Sequence, residues 1–183
     1  MRALLVVDYT VDFVADDGKL TCGKPGQQIE QAICEEIAAS IARNEPVFVL
    51  NDLHYEGDTT HPESKLFPPH NIAGTPGREL YGAVKTAVDA AEKAHPELIF
   101  RMDKTRYSAF VRTGLEEKLR EKGVDTVIVT GVCTDICILH TAIGAYNCDF
   151  NAEIPTAAVA SFNPQGHEFA LAHMKNSLGA TIR

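Results

Sequence analysis

The chain has 183 residues, 45% of them hydrophobic, which is enough for one well-buried core and short for two, so we expect a single domain spanning residues 1–183. Its 17 lysines and arginines against 25 acidic residues give a net charge of −8, and no basic cluster with aromatics occurs, which excludes nucleic acid as a partner. No apolar run reaches membrane-spanning length, no signal peptide is recognised, and the five cysteines are scattered. We therefore expect a cytoplasmic protein with reduced thiols and no membrane partner.

Strands and helices alternate from the start of the chain. Residues 2–8 are predicted to form a buried strand, and a helix with a core-facing stripe follows, marked by Ile29, Ile33, Ile37 and Ile41. The apolar run 47–50 predicts a second strand. It leads into the long polar segment 51–77, and a loop of that length in a compact domain is usually functional.

The same alternation continues to the last residue. Helices are predicted near residues 78–93, 115–122, 135–146 and 165–176, and strands near residues 98–102, 126–130, 149–154 and 180–183. This pattern predicts an α/β fold of three layers, with a six-stranded, mostly parallel sheet and helices on both faces. Ligands of such sheets bind beyond the carboxyl ends of the strands.

The turn at residues 131–137 joins a predicted strand directly to a predicted helix. Thr134 or Asp135 can cap that helix, which would place Cys137 in its first turn, where free N–H groups and the helix dipole favour a thiolate. Such a cysteine is a candidate nucleophile. A cysteine beside a buried strand is more often a small hydrophobic residue, and Cys133 fits that description better.

Two charged residues follow other strands at the same expected edge of the sheet. Taken singly, Asp8 would be a turn cap and Lys104 a solvated charge. Together with Cys137 they form a base, a cation and a nucleophile. Acyl transfer through a thioester needs this set.

The polar loop contains a candidate metal site. Asp52 and His54 are two residues apart at a strand end and should point to the same side, and His61, Glu63 and His70 follow them. Imidazoles with carboxylates suit zinc, iron or manganese, and the spacing does not choose among these metals. Loop histidines are also often merely solvated, so the density of ligands is what favours a metal.

Four blocks of the sequence stand out, and they are DYTVDF, DLHYEGDTTHPESKLFPPHN, MDKTRYSAF and VTGVCTDICILHTA. These blocks closely resemble those of nicotinamidases, which are isochorismatase-like cysteine hydrolases. The resemblance covers nearly the whole chain. It implies a hydrolase of amide C–N bonds that converts nicotinamide to nicotinate and ammonia through a thioester, and that also accepts pyrazinamide. It also implies a homo-oligomer.

The resemblance further implies a role for each candidate catalytic residue. Cys137 would attack the carboxamide carbon, Asp8 would take and return the proton, and Lys104 would support the charged pair. The backbone N–H groups of Cys133 and Cys137 would form the oxyanion hole, with a cis peptide bond between Val132 and Cys133.

One divalent metal per chain, zinc before iron or manganese, is implied by the same resemblance, and this metal would hold the pyridine nitrogen. Its ligands would be Asp52, His54, His70 and Glu63, with His61 as the alternative to Glu63. The ring pocket would be lined by Phe13, Phe67 and Tyr107, which as bare sequence resemble ordinary core aromatics.

The sequence also departs from the family pattern and leaves alternatives open. Thr10 stands where many relatives have glutamine, and Cys133 replaces a small or apolar residue; we expect it and Cys137 to stay reduced. The alternatives are a hydrolase of another small amide or ureido compound and a non-enzymatic binding protein. Isochorismatases, another branch of the family, lack the cysteine and the metal block, so Cys137 and His54 argue against isochorismate as the substrate.

Overall fold

Seven parallel strands form the centre of the protein, in a computed structural model that describes residues 1–183. The strands are β1 Arg2–Val7, β2 Val47–Asp52, β3 Ile99–Lys104, β4 Thr126–Val132, β5 Asn151–Ile154, β6 Val159–Ala160 and β7 Thr181–Ile182. Six of them lie in the order β3-β2-β1-β4-β5-β7, and the two-residue β6 pairs with the end of β4. The predicted α/β sheet is therefore confirmed, with one short strand added.

Seven α-helices surround the sheet, namely α1 Val11–Val14, α2 Lys24–Gln28, α3 Glu30–Ala42, α4 Gly82–Ala94, α5 Leu115–Glu121, α6 Leu139–Asn147 and α7 Pro164–Leu178. Short 3-10 turns occupy Pro62–Lys65, Pro76–Arg78 and Thr156–Ala158, and a π-helical turn covers Thr134–Ile138. None of these helices combines the length and the apolar character that crossing a membrane requires.

The sheet has a separate hydrophobic core on each face, because successive side chains of a strand point in opposite directions. Leu4 and Val6 of β1 pack in one core with residues of α3 and α4 such as Ile33, and Leu5 and Val7 pack in the other with residues of α5 to α7. Each fully buried side chain of this kind contributes about 1.5–3 kcal/mol. Burial on both faces explains why the strands are continuous apolar runs.

Most predicted boundaries agree with the structure within a few residues, and the largest difference concerns α4. The predicted helix at 78–93 begins only at Gly82. Residues 79–81 are instead extended against the segment after β1, where the Val11 N–H donates to the Glu79 carbonyl group and the Tyr81 N–H to the Tyr9 carbonyl group. These backbone bonds hold the long polar loop against the start of the chain.

The register of the sheet brings the candidate residues to one edge. Val7 pairs with Gly131, and Asp52 pairs with Lys104, so Asp8 and the turn after β4 lie beside the ends of β2 and β3. Gly131 has φ of +116°, and an added Cβ would collide with the Val7 carbonyl oxygen. Only glycine allows this close approach of β4 to β1.

Candidate active site

Asp8, Lys104 and Cys137 meet in a buried cluster beyond the carboxyl ends of the strands. The Lys104 amino group lies 2.7 Å from Asp8 Oδ2 and 3.6 Å from Cys137 Sγ. All three side chains are buried. Asp8 adopts φ of +57°, a conformation that non-glycine residues rarely take and that occurs mainly at functional sites and turns. The structure therefore brings the predicted base, cation and nucleophile together.

The protonation states of the trio follow from burial and from mutual attraction. Burial raises the pKa of Asp8 to about 6, although the Lys104 charge opposes this rise. Burial lowers the pKa of Lys104, but the Asp8 and Asp52 carboxylates raise it well above its ordinary value, so the amino group is charged. Lys104 also donates to the Arg106 carbonyl group at 3.2 Å. The ammonium group is thus held in place from several sides.

Cys137 differs from the sequence-based expectation of a thiolate stabilised by a helix start. Burial raises the pKa of its thiol well above the ordinary value, and the nearby Lys104 charge only partly offsets this effect. The thiol is the favoured form in the free protein. The thiol and the Asp8 carboxylate both contact the Lys104 ammonium group, so the thiol proton has an acceptor nearby.

The predicted helix cap is also wrong, because neither Thr134 nor Asp135 caps the helix that contains Cys137. The Ser161 hydroxyl donates to the Asp135 carboxylate at 2.6 Å, and His167 of α7 lies 2.8 Å from the Thr134 hydroxyl. Both side chains therefore tie the turn to the segment around the start of α7. A sequence pattern cannot distinguish such tertiary contacts from local capping.

The turn also presents the backbone groups that were predicted to form an oxyanion hole. The Val132–Cys133 peptide bond is cis, as the resemblance implied. The Cys133 carbonyl group accepts the N–H groups of Ile136 and Ile138 at 3.0 and 3.2 Å, which closes the π-helical turn. This turn places the Cys133 backbone beside the start of the helical segment that contains Cys137.

Asp52, His54, Glu63 and His70 form a group that could hold a metal ion, with one ligand atom from each residue within 4.8 Å of the others. His54 Nε2 lies 2.7 Å from Asp52 Oδ2. His70 Nε2 lies 3.6 Å from both Asp52 Oδ2 and Glu63 Oε2, beyond hydrogen-bonding distance. It is a buried nitrogen without a hydrogen-bond partner.

The His70 ring supports a metal at this position. Its Nδ1–H donates to the Pro68 carbonyl group at 2.8 Å, so Nε2 is the ring nitrogen that faces the Asp52 and Glu63 carboxylates. Burial lowers the pKa of His70, but the Asp52 and Glu63 carboxylates raise it to about 10, so this site attracts positive charge. Two imidazoles and two carboxylates fit a divalent metal such as zinc.

His61, the alternative fourth ligand, has both ring nitrogens engaged elsewhere. The Glu63 backbone N–H donates to His61 Nδ1 at 3.2 Å, and His61 Nε2–H donates to the Thr105 carbonyl group at 2.7 Å. The geometry therefore groups Glu63, and not His61, with the other three ligands.

An apolar pocket opens above Cys137, and all three predicted aromatics, Phe13, Phe67 and Tyr107, line it. Four other lining residues were not predicted as part of the pocket, and they are Leu20, Val132, Ile136 and Phe162. Ile136 could have been inferred from its position next to the nucleophile, whereas Leu20 and Phe162 lie in irregular segments without a pattern. Glu63 also lines this pocket, so one cavity meets both the thiol and the metal-binding group.

Comparison with known proteins agrees with this geometry. A family model for the isochorismatase domain matches residues 2–183. An isochorismatase family protein of Bacillus subtilis, PncA, is 51% identical over 99% of this chain and 98% of its own. The crystal structure of a pyrazinamidase/nicotinamidase from Streptococcus mutans is 52% identical, covers all of both chains and has a TM-score of 0.96. A pyrazinamidase of Pyrococcus horikoshii in complex with zinc is 29% identical, with a TM-score of 0.86 over 100% of this chain and 98% of its own. The chain belongs to the isochorismatase family, as its sequence motifs predicted.

Proposed function

We propose that this protein is a metal-containing cysteine amidohydrolase that converts nicotinamide to nicotinate and ammonia, and that it hydrolyses pyrazinamide in the same way. The observation that carries the proposal is the position of Cys137 Sγ beside the Lys104–Asp8 pair, in an apolar pocket shared with Glu63. The similarity to the nicotinamidase/pyrazinamidase structure from Streptococcus mutans supports an amide substrate.

In the first half-reaction, Cys137 Sγ attacks the carboxamide carbon while Asp8 takes the thiol proton. The C–S bond forms and the carbonyl oxygen becomes an oxyanion, which the backbone N–H groups of Cys133 and Cys137 stabilise. Asp8 then gives its proton to the amide nitrogen, the C–N bond breaks, and ammonia leaves a thioester on Cys137. Lys104 stays charged throughout and balances the negative charge that moves between sulfur and carboxylate.

In the second half-reaction, water attacks the thioester carbon while Asp8 takes a proton from it. The C–S bond breaks, the Cys137 sulfur recovers a proton from Asp8, and the acid product leaves and ionises to nicotinate by giving its proton to ammonia in solution. The same carboxyl group thus acts as base and acid in both halves. Its pKa of about 6 suits both directions of transfer near neutral pH.

The four ligands Asp52, His54, Glu63 and His70 would hold the metal, with zinc as the leading candidate and iron or manganese as alternatives. When bound, the metal would supply an acceptor for the lone pair of the pyridine nitrogen. The side chains of Phe13, Phe67 and Tyr107 would pack against the ring and exclude water from the thioester.

Ammonia release from nicotinamide tests this function directly. Purified, reduced protein loaded with zinc should release one ammonia per nicotinate, and Cys137→Ala should abolish the reaction. Cys148→Ala is the matched control, because this half-buried cysteine lies outside the pocket and its thiol faces Glu116. A panel that includes pyrazinamide, other small amides and ureido compounds identifies the preferred substrate. No ammonia from any member would contradict the proposal.

We also propose that residues 1–183 act as one domain within a cytoplasmic homo-oligomer. Analytical ultracentrifugation of the whole chain tests the assembly, and a monomer at micromolar concentration would contradict it.

A further inference from the structure

Asp12 is a buried acidic residue that the mechanism does not use. It lies in α1, and its Oδ2 accepts the backbone N–H of Asn71 at 2.7 Å. Its Oδ1 accepts the Lys19 N–H at 3.4 Å. Gly77 closes the other side, because an added Cβ there would collide with the carboxylate. The carboxylate therefore sits in a fitted space and bonds to backbone donors.

Asn71 connects this carboxylate to two of the candidate metal ligands. It directly follows His70, and its carbonyl group accepts the His54 backbone N–H at 3.1 Å. The Ala73 N–H in turn donates to the His54 carbonyl group at 2.8 Å, so the two segments pair as a short parallel bridge. One peptide segment thus sets the position of both imidazoles.

The Asn71 side chain does not fix this segment. Its amide nitrogen and oxygen are buried without hydrogen-bond partners, and its backbone has φ of +44°. The loop between β2 and α4 contains only two short 3-10 turns, Pro62–Lys65 and Pro76–Arg78. The Asp12 contact is therefore a main restraint on the backbone at Asn71, and a hydrogen bond to a carboxylate is stronger than one between neutral groups.

We propose that Asp12 is a positioning residue for the metal site, which it serves by holding the backbone between His70 and the bridge to His54. This inference rests on the metal site of the proposed function. Partners that orient metal ligands from outside the coordination sphere typically change metal affinity about 10- to 100-fold when they are removed. Asp12 acts through one further peptide unit, so a loss near the lower end, roughly tenfold, is expected.

The inference can be tested by zinc affinity, which does not depend on activity. The affinity is measured with Zn²⁺ alone, in competition with a chromophoric chelator. Asp12→Ala should weaken zinc binding about tenfold. Asp12→Asn keeps an oxygen for the Asn71 N–H and should stay closer to wild type. Gly77→Ala should weaken binding as well, because the new methyl group displaces the carboxylate while its charge remains. Asp17→Ala is the matched control, since Asp17 is exposed and lies in the same segment.

Circular dichroism of each metal-free variant shows whether the fold is retained, and Gly77→Ala provides the comparison if Asp12→Ala does not fold. Wild-type zinc affinity in both Asp12→Ala and Gly77→Ala would overturn this inference alone. Wild-type protein that binds zinc but releases no ammonia would overturn the proposed function alone. Wild-type protein that binds no zinc would overturn the metal site and this inference together.

Discussion

The ammonium group of Lys104 lies 2.7 Å from a carboxylate oxygen of Asp8, and neither side chain is accessible to solvent. Removing two charges from water is costly, and a buried ion pair often stabilises a protein less than apolar residues of the same size. The pair therefore suggests a catalytic need more than a contribution to stability. Asp52 Oδ1, 3.4 Å from the same ammonium group, links the pair to the candidate metal-binding group.

Replacing Lys104 should damage both folding and catalysis. Lys104→Met removes the only cation of the trio and leaves the buried carboxylates uncompensated, so the free energy of unfolding should fall by about 3 kcal/mol. Ammonia release should fall below detection, because Asp8 then stays protonated at neutral pH. Urea unfolding and an ammonia assay measure the two effects. Lys85→Met, on a half-exposed residue of α4, is the control, and equal behaviour of the two variants would contradict the role of Lys104.

The rate should depend on the ionisation of Asp8. A general base works in its ionised form, so kcat/KM for nicotinamide should rise through pH 6 and fall about tenfold for each pH unit below it. Because the pKa is raised in the folded state, protonation of Asp8 favours folding, and the acid loss of rate should precede unfolding. Stopped assays between pH 4.5 and 8, with circular dichroism at each pH, separate the two processes. A flat profile across pH 6 would exclude Asp8 as the base.

Substitution of Glu63 and of His61 distinguishes the two candidates for the fourth metal ligand, because only loss of the true ligand should weaken zinc binding strongly. Glu63→Gln should weaken zinc binding more than His61→Ala, since both His61 ring nitrogens are engaged with Glu63 N–H and the Thr105 carbonyl group. Zinc removal by a chelator should also lower the unfolding midpoint, because a metal that binds only the folded state stabilises it. Equilibrium dialysis measures the zinc affinity of each variant, and thermal unfolding measures the midpoint with and without zinc. Stronger zinc loss in His61→Ala would reverse the assignment.

The sheet and the catalytic edge were predictable because strands buried on both faces form uninterrupted apolar runs. Once such runs are identified, Asp8 and Lys104 are seen at strand ends, and a parallel sheet brings strand ends together. The resemblance to a known family then implied roles for these residues that position alone could not. The match of the isochorismatase family model to residues 2–183 and the observed sheet confirmed the family and the α/β fold.

Other features depend on tertiary contacts that leave no trace in sequence periodicity. The four residues of α1 and the two residues of β6 are too short to show a period. Thr134 and Asp135 have the residue types of helix caps, yet they bond to α7 and the segment before it. The choice between Glu63 and His61 depends on which ring nitrogens are already bonded, which no spacing reveals.

Phe162 offers a test of substrate binding that leaves the catalytic groups untouched. It lines the pocket while 53% of its surface is exposed, so its removal should cost little stability. Phe162→Ala would remove apolar contact that the ring makes equally in the ground and transition states, so KM should rise with kcat nearly unchanged. Loss of about 1.4 kcal/mol of apolar contact corresponds to about a tenfold rise in KM. Phe169→Ala, on a similarly exposed phenylalanine of α7 that does not line the pocket, should leave KM unaltered. Steady-state kinetics with nicotinamide compares the two, and a fall in kcat at constant KM in Phe162→Ala would instead place this ring in the chemical step.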